Sequence, residues 1–124
     1  MSRRKIAWIG FSFLIGTGAP AALAQETGLS DIHAQRIEGG RVCMSEHFHY
    51  GSSTGQPSRK AAEAAAIASW AGFTAWEYGD PWGNYRIAAS RAMKCTQSGS
   101  TWSCETEARP CRQLRPADRR ARKN

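Results

Sequence analysis

Cys95-Thr-Gln-Ser-Gly-Ser-Thr-Trp-Ser-Cys104 is the stretch of the sequence that decides the fold. At its centre, Gly99-Ser100 is a glycine-first pair, which is typical of the two-residue type II′ turn of a β-hairpin. With that turn, Cys95 faces Cys104 on a non-hydrogen-bonded pair, whose Cα atoms lie roughly 4.5–5.5 Å apart. That separation is within disulfide range. The stretch therefore predicts a hairpin that is closed by a Cys95–Cys104 disulfide.

The same register also separates the side chains of the hairpin into two faces. It places Lys94 opposite Glu105, which is a favourable charge pair across two strands. The residues of one face are Met93, Cys95, Trp102, Cys104 and Thr106. The other face carries Thr101, Ser103, Glu105 and Glu107 and is polar. We expect the first face to pack against the rest of the domain through Trp102 and the disulfide.

Two cysteines outside the hairpin are then left to form a second disulfide. The chain has four cysteines, which allow three connectivities. If the hairpin disulfide forms, Cys43 must pair with Cys111. In the chain-entropy model this long link contributes roughly 4 kcal/mol and the short one roughly 2.5–3 kcal/mol.

An alanine-rich segment upstream of the hairpin predicts one long helix. Ser58 is a suitable N-cap, and the residues after it are dense in alanine, the best helix former. Glu77 and Tyr78 form the last turn, Gly79 suits a left-handed residue after the helix, and Pro81 prevents continuation. The apolar stripe at helical spacing consists of Ala62, Ala66, Ile67, Trp70, Phe73 and Trp76.

Residues 41–50 (RVCMSEHFHY) are rich in strand formers and partly alternate, which predicts one strand. The following segment, 51–57 (GSSTGQP), has the composition of a loop. The predicted fold is therefore α+β: a small disulfide-stapled domain of strand, helix and hairpin, with one long helix packed on a short antiparallel sheet. A core of about 70 residues usually needs such covalent links, because burial alone rarely stabilises it.

Residues 1–24 have the pattern of a cleavable export signal. Arg3, Arg4 and Lys5 are basic, an apolar run covers 6–15, and an Ala-Leu-Ala sequence ends at Ala24. The apolar run is shorter than the roughly 20 residues of a membrane-spanning helix. We expect a mature protein that begins at Gln25, is periplasmic or secreted, and meets the membrane only through the signal before cleavage. Such a compartment is oxidising, which suits disulfides.

The charge of the chain is unevenly distributed. Residues 25–108 hold seven basic and nine acidic side chains, whereas residues 109–124 hold seven basic and one acidic. The nearly neutral part shows no nucleic-acid footprint. The densely charged segment 112–124 predicts a disordered basic tail. That tail is either simply solvated or attached to an anionic partner, such as an envelope polymer or lipid headgroups.

The domain organisation predicted from these patterns has four parts. Residues 1–24 are the signal peptide, and residues 25–40, which are polar and without a sustained period, are a flexible linker. Residues 41–111 form the disulfide-stapled domain, and residues 112–124 form the basic disordered tail.

Several short motifs resemble a group of small secreted bacterial proteins with no assigned activity. The positions that carry the resemblance are His49-Tyr-Gly-Ser-Ser53, Trp70, Glu77-Tyr-Gly79, Trp82, Cys95, Trp102-Ser-Cys104 and Ala108-Arg-Pro-Cys111. The resemblance covers roughly residues 42–112. It implies export and a disulfide-stapled domain, and it brings no catalytic or binding residues with it.

His47 and His49 are the candidate metal ligands. Residues two apart in a strand point to one face, so the two imidazoles could together chelate Zn²⁺ or Cu²⁺. Glu46 and His33 lie nearby in sequence as further donors. A protein metal site uses three or four ligands, and the sequence supplies only two in a fixed relation. The alternative is that both are ordinary polar histidines of a strand, and no cofactor is expected.

Trp76, Trp82 and Tyr85 are the candidate binding patch. They lie around the predicted exit of the helix, where an exposed aromatic group could bind a glycan or a protein. The alternative is that the aromatic residues form a core from few, large side chains, since each buries roughly 150–250 Å².

Catalysis has less support in the sequence than binding. An even number of cysteines in an exported chain argues for pairing rather than for a thiol nucleophile. Glu77 and Asp80 are the carboxylates that a hydrolase could use, but Glu77 also suits a helix surface. We expect a non-enzymatic exported binding or structural protein of the cell envelope. A periplasmic metal-binding protein is the alternative, and an envelope hydrolase is a weaker one.

Overall fold

The computed structural model describes residues 25–124, so the predicted signal peptide lies outside the described residues. Within them the fold is α+β, as predicted. The strands are β1 Gln35–Glu38, β2 Arg41–Met44, β3 His49–Gln56, β4 Ala89–Ser98, β5 Thr101–Arg109 and β6 Cys111–Gln113. The helices are α1 Arg59–Tyr78 and α2 Pro116–Ala121, with 3-10 turns at Leu29–Ile32, Asp80–Trp82 and Tyr85–Ile87. One antiparallel sheet has the order β1-β2-β6 and the other β3-β5-β4.

The hairpin of β4 and β5 has the predicted register. Cys95 lies opposite Cys104, and Lys94 lies opposite Glu105. Gly99 has a φ of 61°, which the first turn residue of a type II′ turn requires. Both predicted disulfides, Cys95–Cys104 and Cys43–Cys111, are present, and residues 25–124 contain no free cysteine. The predicted register of the hairpin and both predicted disulfides are therefore confirmed.

Helix α1 also begins and ends where the sequence predicts. The hydroxyl of Ser58 accepts a hydrogen bond from the backbone N–H of Ala61 at 3.1 Å, and the helix ends at Tyr78. Gly79 has a φ of 102° and a ψ of 160°, so its φ is positive but it is not left-handed helical. A Cβ there would lie 2.7 Å from the Cα of Glu26, which pairs with Gly79. Glycine is needed at this position because another chain segment crosses it.

The buried face of α1 is narrower than the predicted stripe. Its buried residues recur every fourth position: Ala62, Ala66, Trp70, Thr74 and Tyr78. Phe73 and Trp76 are 45% and 77% exposed and lie outside this face. The face stays narrow because β3 packs closely on the helix. A Cβ on Gly51 would lie 2.7 Å from the Cβ of Trp70.

The predicted single strand over residues 41–50 is wrong, because the chain divides it between two sheets. β2 ends at Met44 and belongs to the sheet with β1 and β6, and β3 begins at His49 and pairs with β5. The predicted loop at residues 51–57 is also wrong. β3 continues through it to Gln56, with a bulge between Ser53 and Gln56. Its small and polar residues suit a strand that lies close to a helix on one side.

Residues 25–40 are not a flexible linker. β1 pairs with β2 in a hairpin whose turn is Gly39-Gly40, and these glycines have φ values of 53° and 76°. Positive φ at both central positions is the requirement of a type I′ turn. Further towards the N-terminus, Glu26 forms a bridge with Gly79. The polar composition of this segment reflects an exposed sheet edge rather than a lack of structure.

Residues 112–124 are not a disordered tail. β6 pairs with β2, and the guanidinium of Arg112 donates to both carboxylate oxygens of Asp118 in α2, at 2.7 and 2.9 Å. Arg112 is nine-tenths buried and also lies over the ring of Trp82, 5.4 Å from its centroid. An internal ion pair and the adjacent Cys111 disulfide therefore order a segment that composition alone would leave solvated.

The Arg112–Asp118 pair gives the stability of the fold a specific pH dependence. Hydrogen bonding from Arg112 lowers the pKa of Asp118 from 3.8 to about 2. A lowered carboxyl pKa contributes stability above the unfolded value, and this contribution is lost as the pH falls through the folded value. We therefore expect the free energy of unfolding to fall between about pH 4 and pH 2.

The variant Asp118→Asn should lack that part of the acid dependence, because its amide does not titrate. Denaturant unfolding at a series of pH values measures it. Asp80→Asn, which changes an exposed carboxylate elsewhere, is the control and should keep the wild-type dependence. The same acid dependence in both variants would contradict the role assigned to the pair.

No helix in residues 25–124 is long and apolar enough to cross a membrane.

Candidate metal centre

The predicted aromatic patch does not form. Trp82 is fully buried, where its ring meets Tyr78 edge-on at 6.1 Å. Tyr85 is half-buried, with its ring 5.3 Å from that of Trp70 and its hydroxyl 2.7 Å from Thr106. Of the three predicted residues, only Trp76 is exposed. Trp82 and Tyr85 instead pack in the core of the domain.

The two candidate metal ligands do come together. His47 lies between β2 and β3, and His49 is the first residue of β3. Their rings meet edge-to-face with centroids 5.1 Å apart. His47 is half-buried, whereas the side chain of His49 is only 2% exposed. Their proximity was predicted, although only His49 belongs to a strand.

A hydrogen-bond chain from helix α1 fixes the tautomer of His49. The hydroxyl of Thr74 donates to the backbone carbonyl of Trp70 at 2.7 Å. Its oxygen lies 2.9 Å from Nδ1 of His49 and, having used its proton, must accept there. A neutral His49 therefore carries its proton on Nδ1 and a free electron pair on Nε2. This is the arrangement by which outer hydrogen bonds orient metal-ligating histidines.

Nε2 of His49, which carries the free electron pair, lies close to a carboxylate oxygen. Nε2 lies 2.8 Å from Oε2 of Glu77. The two atoms do not have the alignment of a hydrogen bond. Nε2 is buried, and it makes no hydrogen bond within residues 25–124. A carboxylate oxygen and an unprotonated imidazole nitrogen 2.8 Å apart repel each other unless a proton or a cation lies between them. The contact between His49 and Glu77 therefore lacks a positively charged group between the two atoms.

Three side chains supply the ligating atoms. A nitrogen of His47, a nitrogen of His49 and a carboxylate oxygen of Glu77 all lie within 4.8 Å of one another. Ligands of one tetrahedral Zn²⁺ ion lie about 3.3 Å apart, given metal–ligand bonds of about 2.0–2.1 Å. The three atoms are thus near, but not at, the spacing of a tetrahedral site.

Burial keeps both histidines neutral at neutral pH. Desolvation, with smaller contributions from the imidazoles of His47 and His33, lowers the pKa of His49 from 6.5 to about 4. Desolvation also lowers the pKa of His47, and the nearby His33 acts in the same direction, whereas Glu77 opposes it. Neutral imidazole is the form that binds metal ions, so these ligands need not first lose a proton.

His33 and Tyr78 form the walls around the three ligands. The His33 ring stacks on that of His47 with centroids 4.0 Å apart, and the Tyr78 ring stacks on that of His49 at 4.8 Å. These contacts pack an aromatic ring against each of the two imidazoles. His33 is thus a positioning residue in this arrangement, and the sequence-based expectation that Glu46 or His33 supplies the third ligand gives way to Glu77.

The ligands open into a shallow depression of about 430 Å³. Its lining residues are His47, Phe48, His49, Tyr50, Phe73 and Glu77. Tyr50 and Phe73 are 66% and 45% exposed, so the rim is aromatic and accessible. An ion held by three protein side chains would therefore have its remaining position facing solvent.

The hydrolase expectation finds no matching geometry. Asp80 is exposed and does not line the depression that contains Glu77. Glu77 instead lies against His49. A second group of possible ligands, Glu38 with Cys43 and Cys111, is not available to a metal because both thiols form the disulfide.

Sequence reasoning missed Glu77 and Thr74 as members of this site. Glu77 lies 28 positions after His49 and reaches it only because α1 packs on β3. Thr74 carries a weak signal, since it is the one serine or threonine in the buried face of α1. A buried threonine at that spacing indicates a polar partner on the facing strand.

Comparison of the chain with protein-family models, with curated proteins and with solved structures finds no match.

Proposed function

We propose that this is an exported protein that binds one divalent transition-metal ion, Zn²⁺ or Cu²⁺, through His47, His49 and Glu77. The observation that carries the proposal is Nε2 of His49. It is buried, its tautomer is fixed by Thr74, and it lies 2.8 Å from a carboxylate oxygen without a hydrogen bond. Leaving such a buried polar atom unpaired costs about 1–3 kcal/mol. A bound cation would satisfy both Nε2 and the carboxylate.

The ligand set supports a transition metal rather than Ca²⁺ or Mg²⁺. Imidazole suits Zn²⁺ and Cu²⁺, whereas Ca²⁺ and Mg²⁺ prefer a shell of oxygen atoms. Two histidines and one glutamate leave a fourth position that water or a donor from another molecule would take. Between the two metals, affinity in a given nitrogen and oxygen site usually favours Cu²⁺.

Export is supported by two features of the chain. Disulfides persist in oxidising compartments, and both cysteine pairs of this chain are bonded. The N-terminal pattern of basic residues, apolar run and Ala-Leu-Ala sequence is that of a cleavable signal. The proposal thus places the protein in the periplasm or outside the cell, as a binding protein without a catalytic role.

The variant Glu77→Gln tests the metal site. It preserves the shape of the side chain but removes the charged ligand, so we expect the affinity for Zn²⁺ to fall by about 100-fold or more. Loss of an outer hydrogen-bond partner alone costs about 10–100-fold. Titration in competition with a chromophoric chelator measures the change, and thermal unfolding of the metal-free proteins checks that both are folded.

Glu46→Gln is the matched control, because Glu46 is exposed and lies near His47 without belonging to the ligand set. It should leave the affinity within about threefold of the wild type, because it changes an exposed side chain and no ligating atom. If wild type and both variants bind Zn²⁺ and Cu²⁺ equally weakly, the protein has no metal site at these residues.

A further inference from the structure

The groove between the β1–β2 hairpin and helix α2 lies away from the three metal ligands. Its volume is about 710 Å³. The residues that line it are Gln35, Arg36, Ile37, Gly39, Gly40, Val42, Asp118, Ala121 and Arg122. Arg36 on the hairpin and Arg122 after the helix thus stand on opposite walls of the groove, and both are exposed.

The carboxylates beside the groove are neutralised by the protein itself. Asp118 receives two hydrogen bonds from Arg112. Glu38 pairs with Arg109 and with Arg36 at 2.9 and 2.8 Å. Glu26, further along the same edge, pairs with Arg115 and lies near Arg112. Because Arg36 is paired with Glu38, Arg122 is the one cation of the groove lining left without an acidic partner among the described residues.

Four cations near the end of the chain have no acidic partner within the described residues. Arg119, Arg120, Arg122 and Lys123 are exposed, and none of them forms an ion pair within residues 25–124. They lie on α2 and on the turn that follows it, and of the four only Arg122 lines the groove. The nine-tenths buried Arg112 holds this helix in place through Asp118. The fold thus fixes the position of a cationic segment that charge repulsion would otherwise extend into solvent.

We propose that the cationic surface of α2, together with the groove beside it, binds a phosphate-bearing polymer that carries no bases. Guanidinium groups bind phosphate in a planar, two-point fashion, and three of the four unpaired cations are arginines. The surface is a groove rather than a plane, so it suits a chain that lies along it better than a flat bilayer. Its lining includes no aromatic residue, so nucleic-acid bases would have no side chain on which to stack.

This inference does not depend on the metal site, because the groove shares no residue with it. The two can therefore fail separately. Metal titration reports on His47, His49 and Glu77, and polymer binding reports on the cations of α2.

Linear polyphosphate is the probe that tests the proposal. We expect binding to the purified protein that weakens with salt, with a slope of about −0.7 in log–log form for each phosphate neutralised. Neutralising the four unpaired cations, as Arg119→Gln, Arg120→Gln, Arg122→Gln and Lys123→Gln together, should lower the affinity by about 10-fold or more. The melting temperature should change little, because these side chains are exposed.

The matched control neutralises four exposed cations on the other sheet and around α1. It combines Lys60→Gln, Arg86→Gln, Arg91→Gln and Lys94→Gln and changes the net charge by the same amount. It should retain most of the affinity. If it weakens binding as much as the α2 variant does, binding depends on net charge alone and the groove has no role.

Three other anions decide the chemistry of the ligand. Polyglutamate of similar charge should bind less tightly than polyphosphate, and so should a single-stranded oligonucleotide with the same number of phosphates. Vesicles containing an anionic phospholipid should bind more weakly than polyphosphate at equal phosphate concentration. Binding of any of these as tight as that of polyphosphate would overturn the assignment to a base-free phosphate polymer.

Discussion

Ending the chain after Cys111 is expected to lower the free energy of unfolding by about 3–5 kcal/mol, a loss similar to that of removing a large side chain from a core. The deletion removes the pairing of Arg112 and Gln113 with β2. It also removes Leu114, which packs against the cluster around Trp82, and the cation–π contact between Arg112 and the Trp82 ring. Denaturant unfolding measures the change.

A shorter deletion provides the control for this experiment. Ending the chain after Ala121 keeps the Arg112–Asp118 pair and removes exposed residues only. Its stability should lie within about 0.5 kcal/mol of the full chain. If the long deletion were equally harmless, residues 112–124 would be the disordered tail that their charge predicts.

Replacing Gly51 by alanine is expected to cost about 3 kcal/mol, at the upper end of the range for overpacking a core. The added Cβ would lie 2.7 Å from the Cβ of Trp70 and even closer to the helix backbone, which cannot move aside as a flexible side chain can. β3 and α1 would have to separate. Because His49 is on β3 and Glu77 is on α1, the variant should also weaken metal binding.

Gly72→Ala is the control for the glycine substitution. Gly72 lies within α1, and a Cβ there would meet no atom within 4 Å. This variant should gain about 0.5–1 kcal/mol, because alanine is the better helix former. Thermal and denaturant unfolding compare the two proteins. A harmless Gly51→Ala would contradict the close packing of β3 on the helix.

Structure that depends on neighbouring residues could be predicted from the sequence. The turn at Gly99-Ser100 fixes its own register, and with it the Cys95–Cys104 disulfide. The cap at Ser58 likewise sets the start of α1. In both cases the deciding interactions join residues that are close in sequence, so composition and spacing carry the information.

Structure that depends on distant partners could not be predicted in this way. Residues 25–40 and 112–124 appear polar and unstructured by composition, but they form β1, β6 and α2 because β2 lies between β1 and β6 in one sheet. Arg112 becomes nine-tenths buried only through Asp118 and Trp82. A sequence pattern reports the hydrophobicity of a segment and not the identity of the strand with which it pairs.

The candidate site combines both situations. The spacing of His47 and His49 indicated two neighbouring imidazoles, and the structure brings them together. Glu77 and Thr74 join them through the packing of α1 on β3, which spacing cannot reveal. The prediction of an aromatic patch was wrong for the same reason, because Trp82 packs against residues that are distant in sequence, among them Met44 and Arg112.

The most direct test of the proposed metal site is a crystal structure of the protein soaked with Zn²⁺, with the ion located by its anomalous scattering. We expect one ion bonded at about 2.0–2.2 Å to Nε2 of His49, to a ring nitrogen of His47 and to a carboxylate oxygen of Glu77. Thr74 should still accept the Nδ1 proton of His49. An ion found only at exposed side chains elsewhere, with Nε2 of His49 unbound, would contradict the proposed function.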